Sequence, residues 1–406
     1  MARLWGWLAF LAATAAIFAF LPGVQASLNP YKAYVLVFVG INVILAASLN
    51  LINGYTGQFS LGHAGFMAVG AYTACGITYY KTQALEGFFG GIFGAALAEP
   101  LTFLFALVAG GCAAAFVGVL VGWPSVRLKG DYLAIATLGF GEIARVVTYQ
   151  LDHAPVDMGG ARGLSPIPVH TNLAWVAFWA LVTLVVIRNL LTSVHGRAFL
   201  AIREDEVAAE GIGIPTTRYK VIAFSVGAFF AGVAGALVPH FLGSLHPNSF
   251  TFLRSIEVVV FVVLGGMGSM VGTVCAAVML TLLLEVLRGG NLPAWMGSWP
   301  AATVPALVVV GALLFVLALA IPVARRRPGR YALTALLSLA ATGGALALSW
   351  NWLGVSGNAE RLRMPIFSLL LVFLMLFRPQ GLLGNKELSF ATLRRLLPRR
   401  RAGAPT

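Results

Sequence analysis

The chain has 406 residues, of which 59% are hydrophobic and 10% charged, with a formal net charge of +13. A soluble protein covers itself with roughly 25% charged residues, so lipid must be the solvent for much of this surface. The basic excess lies in short loops between apolar runs, which reads as topology and contact with anionic lipid and excludes a nucleic-acid interface.

Apolar runs recur along the chain, each long enough to cross about 30 Å of hydrocarbon as a helix. None alternates as a barrel strand would, so helices must satisfy the backbone. The expected fold is all-α, a polytopic transmembrane bundle of about twelve apolar segments, near residues 4–21, 33–52, 63–80, 101–122, 132–149, 173–191, 219–241, 256–271, 273–288, 303–323, 331–349 and 364–377. The first run precedes Val24, Gln25 and Ala26, which resemble a signal-peptidase site. It is longer than a signal core of about 7–15 residues and is read as a span. Residues 87–98 read as interfacial, and 256–288 as two short crossings or a re-entrant pair.

With the N-terminus inside, most of the 27 basic residues fall on the inner side. Lys32, Lys81, Arg145, Arg162, Arg254, Arg288, Arg361 and Arg363 fall on the outer side. The bias puts both termini in the cytoplasm. Residues 1–384 then form one transmembrane domain and 385–406 a basic cytoplasmic tail. Residues 150–172 form a polar outer loop, 192–218 a charged inner loop and 325–330 a basic inner turn. Cys75, Cys112 and Cys275 sit in apolar stretches without metal spacing and read as small core residues.

The inner loop is the most informative segment. Residues 201–214 read AIREDEVAAEGIGI. Glu206, Ala208, Ala209 and Glu210 favour helix, Gly211 and Gly213 stop it, and Glu204, Asp205 and Glu206 suit its positive N-terminal end. A short charged helix outside the bilayer, tied to a span at each end, can transmit force from a cytosolic partner. Having no long apolar face, it must draw its order from that partner, against which the small Ala208 and Ala209 would seat.

This segment resembles the EAA loop of ABC importer permeases, which docks in a cleft of the ATPase subunit. More narrowly it is similar to the version in the M-type permeases of branched-chain amino acid importers. TGQFSLGHAGFMAVGAY (56–72), GDYLAIATLGFGEIAR (130–145), LGGMGSMVG (264–272) and FRPQGLLG (377–384) resemble further segments of that family, in order. The resemblance implies an ATPase-coupling role for Arg203, Glu204, Asp205, Glu206, Ala208, Ala209 and Gly211. It implies as partners a homologous permease subunit, two P-loop ATPases and a periplasmic solute-binding protein, in a bacterial inner membrane. Met158 stands where the family's outer loop carries Thr, before Gly159, Gly160 and Gly163, which leaves the substrate open. Urea and short-chain amides are the alternative solutes. Residues 289–360 look inserted as an additional helical pair.

No lysine follows a glycine, so a Gly-Lys-Ser/Thr phosphate loop is absent and ATP must be bound by a partner. No HExxH, GxSxG or metal-ligand cluster appears, so no catalysis or cofactor is expected. An ion-coupled secondary transporter would need titratable groups at mid-membrane, and the acidic residues here lie mostly near span ends. Asn50, Gln58, His63, Glu142 and Arg145 are the candidate pathway residues, since polar groups inside a membrane are costly. Asn42 is a further polar candidate. Gly265, Gly266, Gly268 and Gly272 read as helix-packing points, with Gly265/Ser269, Gly268/Gly272 and Gly227/Ala231/Gly235 as small-residue rows.

Overall fold

A computed structural model describes residues 2–125, 131–152 and 157–288. The helices are α1 (Ala2–Ser27), α2 (Pro30–Asn50), α3 (His63–Tyr80), α4 (Thr82–Phe93), α5 (Ala95–Ser125), α6 (Asp131–Tyr149), α7 (Leu173–Thr192), α8 (Val194–Glu204), α9 (Glu206–Gly211), α10 (Thr216–Leu242), α11 (Phe252–Gly265) and α12 (Met270–Arg288). A π-helical turn, Leu51–Tyr55, continues α2, and a 3-10 turn, Pro247–Phe250, precedes α11. The fold is all-helical among the described residues, with one isolated bridge between Leu164 and Leu245.

Among the described residues six helices are long and apolar enough to cross a membrane: α1, α2, α5, α7, α10, and α11 with its 3-10 turn. α3 and α6 have 18 and 19 residues but carry more polar side chains. By this measure the described residues hold six spans, against about twelve expected over the whole chain. The expected segments 303–323, 331–349 and 364–377, the inserted pair 289–360, the turn 325–330, the FRPQGLLG segment and the tail 385–406 lie outside the described residues.

Local chemistry sets several boundaries. Asn29 accepts from Tyr31 N at 3.1 Å ahead of Pro30, and Asn172 accepts from Trp175 N at 3.0 Å, so α2 and α7 start on side-chain caps. α4 buries none of its residues and joins α5 through Gly94. The 256–288 stretch is two helices, α11 and α12, separated by a turn at residues 266–269.

α2 and α10 are the innermost helices, whereas no residue in the apolar part of α1 is fully buried and that helix packs at its side against α7. In lipid there is little hydrophobic gain from helix association, so packing must come from close backbone approach. The crossing of α3, α5 and α10 supplies it. A Cβ on Gly70 would fall 2.3 Å from Gly232 Cα, and one on Gly110 would fall 2.6 Å from the Gly70 carbonyl. Gly227 and Gly235 make similar approaches to Ile52 and to the Met67 backbone.

The order of helices gives the bundle two ends. α2 and α7 run toward the end carrying α8 and α9, and α3 and α10 run away from it. The opposite end carries residues 157–172 and 243–251, joined by Leu164 N to Leu245 O at 2.8 Å. The Gln25 side chain at the end of α1 accepts from Leu173 N at the start of α7 at 2.7 Å.

Candidate functional site

Between α2 and α3 the chain leaves helical geometry for the π turn and an irregular loop, residues 56–62. Such interruptions inside a bundle free backbone groups that neighbours must satisfy. Here they do. Thr137 on α6 accepts from Leu61 N at 3.0 Å, and Ser255 on α11 accepts from Ala64 N at 2.9 Å. The Asn53 carbonyl oxygen accepts from Ser60 N at 3.2 Å. Ser48 and His63 bond across the break at 2.9 Å.

The α11–α12 turn closes against the same break. Asn50, buried at the end of α2, accepts from Gly268 N at 2.9 Å and donates to Ser269 O at 3.2 Å. One amide thus replaces two backbone partners that the turn lost. Gly268 has φ +85°, where only glycine is unstrained. A Cβ on Gly265 would lie 2.4 Å from Thr273 Cα, and one on Gly272 would lie 2.0 Å from the Gly265 carbonyl. The rows Gly265/Ser269 and Gly268/Gly272 are therefore not stripes of one helix, as the spacing suggested, because the turn interrupts the helix between them. Gly266 caps α11 with φ +103°.

The charged loop also differs from the single short helix expected. It forms two helices, α8 and α9, with extended Asp205 between them. The Asp205 carboxylate accepts from Val207 N at 2.9 Å and Ala208 N at 3.0 Å. Glu206 pairs with Lys220 on α10 at 2.6 Å, and Glu210 accepts from Thr216 Oγ1 at 2.6 Å. The chain itself therefore orders α9, which corrects the expectation that a partner must. Ala209 is only 2% exposed and is covered within the chain, so it is closed to any partner. Ala208, Gly211, Val207 (69% exposed) and Ile212 (76% exposed) face outward, with Glu204 and Glu210 beside them. Sequence reasoning missed Val207 and Ile212. Their signal was two large apolar residues within an otherwise charged and small segment.

Arg203 connects the two parts. It donates to the Gly54 carbonyl at 3.1 Å and pairs with Glu204 at 2.8 Å. Of the candidate pathway residues, Asn50, Gln58 and His63 thus gather at this break. Gln58 is 4% exposed, and neither atom of its amide has a hydrogen-bond partner. Glu142 and Arg145 form an i,i+3 pair at 2.6 Å on α6, with Arg145 5.6 Å from the Tyr149 ring centre. Asn42 accepts from Arg254 at 2.5 Å, and Arg254 pairs with Glu257 at 2.5 Å.

At the opposite end a cavity of about 540 Å³ is walled by Tyr72, Gly76, Ile77, Tyr80, Leu151 and Met158. Met158 is buried there, its thioether methyl 3.5 Å from where a Gly76 Cβ would sit. Among the described residues no group of three His, Cys, Asp or Glu could hold a metal ion.

A bundle of membrane-length helices, interrupted at two turns that Arg203 of a short helix pair reaches, has the build of a membrane transport permease. The chain belongs to the family described as branched-chain amino acid transport system / permease component, whose model matches residues 31–297. It is similar to the high-affinity branched-chain amino acid transport system permease protein LivM of Salmonella typhimurium and to that of Escherichia coli. It is 37% identical to each over 285 residues, 62% of this chain and 62% of each relative. The autoinducer 2 import system permease protein LsrC of Yersinia enterocolitica is 28% identical over 225 residues, 53% of this chain and 59% of that protein. The chain thus spans less than two thirds of the length of these curated relatives. No solved structure matches.

Proposed function

We propose that the chain is one permease subunit of an ATP-driven importer of the ABC type, carrying branched-chain amino acids across a bacterial inner membrane. It pairs with a homologous permease subunit, two P-loop ATPases and a periplasmic solute-binding protein, and hydrolyses nothing itself. The end carrying α8 and α9 faces the cytoplasm. The observation that carries this reading is α9. It is a six-residue helix held firmly by its own chain, yet it turns Val207 and Ile212 to the outside. Two exposed apolar side chains on a short, otherwise charged helical segment suit a groove in a soluble partner.

Greater similarity to LivM than to LsrC favours branched-chain amino acids as the solute. Gln58 supports a path past the helix break. A buried amide without partners costs about 1–3 kcal/mol, and a polar solute or an alternate packing of the break would supply the missing bonds. The apolar wall given by Ile77, Leu151 and Met158 suits an aliphatic side chain at the other end.

Reconstitution in proteoliposomes with the cognate permease, ATPases and binding protein tests the reading. Uptake of leucine, isoleucine and valine is expected to require ATP on the α9 side and to exceed that of urea or acetamide. Uptake driven by an ion gradient without ATP would sink it in favour of a secondary transporter.

A further inference from the structure

The Arg203 side chain lies in a slot formed by three glycines, Gly57 along its stem and Gly54 and Gly268 at its guanidinium. A Cβ on Gly57 would sit 3.2 Å from Arg203 Cγ, and one on Gly268 would sit 2.4 Å from its Nη1. Gly54, whose carbonyl takes the Nη1 hydrogen bond, could not carry a Cβ either, because that atom would lie 2.3 Å from Gly268 N. Asn50 closes the slot by holding Gly268 N and Ser269 O. One guanidinium and one amide therefore join α8, the π turn after α2 and the α11–α12 turn. These three segments are far apart in sequence.

We infer that Arg203 is a positioning residue that delivers movement of the α8–α9 pair to the helix break at residues 51–62 and to the α11–α12 turn. The inference rests on the reading that α9 docks on an ATPase. α8 and α9 are joined by one extended residue, Asp205, whose carboxylate caps α9, so displacement of α9 passes into the last turn of α8. Arg203 occupies that turn. Its planar group donates in two directions at once, Nη1 to Gly54 and Nη2 to Glu204, which a lysine ammonium on a flexible stem does not reproduce. α10 offers a second route, since Glu206–Lys220 and Thr216–Glu210 bond it to α9 and its Gly227 packs on Ile52 of the π turn. The hydrogen bond to Gly54 is directional. It ends at the break where Asn50, Gln58 and His63 gather.

The test compares Arg203→Met, Arg203→Lys and Gly268→Ala in the complete transporter, measuring ATPase co-purification, ATP hydrolysis and leucine uptake. Gly268→Ala keeps the arginine but puts a methyl group where its Nη1 lies. The expected result is uncoupling: co-purification and hydrolysis persist, while leucine moved per ATP falls about tenfold, as loss of one charged hydrogen bond implies. Arg203→Lys should restore part of that ratio, and Gly268→Ala should match Arg203→Met. An unchanged ratio in both Arg203→Met and Gly268→Ala overturns the inference. So does equal loss of assembly, hydrolysis and uptake, which is the mark of a merely structural residue. Failure of the parent complex to couple uptake to ATP would overturn the underlying function instead.

Discussion

Arg203 donates to the carbonyl of Gly54 at 3.1 Å across 149 positions of sequence. The bond joins the segment whose charge pattern suggested a partner to the segment whose polar residues suggested a path.

Val207 and Ile212 present the apolar face of α9, whereas Ala209 is packed inside the chain. Val207→Asp and Ile212→Glu should leave insertion and melting temperature unchanged and remove ATPase co-purification. Ala209→Trp should instead lower the melting temperature, because the side chain has no space to enter. Thermal unfolding in detergent, run beside the pull-down, separates the two effects.

Lys220 is nearly buried and its partner Glu206 is about a third exposed, at 2.6 Å. Lys220→Met should cost about 1–3 kcal/mol, less than a fully buried pair would, because water screens Glu206. Adding Glu206→Gln should recover part of the loss, since no unpaired charge then remains. A double-mutant cycle read by thermal unfolding checks the sign of that coupling.

Much of the bundle was legible in sequence because crossing a membrane demands long apolar helices, and those runs are unmistakable. The helix breaks were less so. Residues 264–272 have small residues at helical spacing, and although an interruption of 256–288 was readable from its glycines, its place after Gly265 was not. The stop depends on Asn50, over two hundred positions away, which supplies the bonds of the turn. The same holds for α9. Its formers and stops were readable, but its anchoring by Lys220 and Thr216 required knowing that α10 returns beside it. Gln58 and His63 were picked out as polar residues in an apolar setting, and the structure adds that they sit at one break. Glu142 and Arg145 were picked out on the same ground and neutralise each other on α6.

Gly70 and Gly232 meet backbone to backbone, so neither neighbour can give way. Gly70→Ala should destabilise the α3–α10 crossing by about 1–3 kcal/mol. Gly87 on α4 has open space around it, and Gly87→Ala should stabilise by up to about 1 kcal/mol through helix propensity. Opposite signs in melting temperature are expected from these two single-methyl additions.

Sidedness can be read with thiols. Cys75 is buried while Cys112 and Cys275 are exposed, so all three must first be replaced. Arg162→Cys should react with an impermeant reagent added outside, and Glu210→Cys only after permeabilisation. Labelling of both from outside would contradict the cytoplasmic placement of α9.

Photo-crosslinking from position 212 tests the central claim most directly. A light-activated side chain in place of Ile212, within the assembled transporter, should capture an ATPase subunit, and one in place of Lys32 on α2, at the opposite end, should not. Capture of lipid or of no protein from position 212, in complexes that still import leucine with ATP, would contradict the account of α9 as the coupling element.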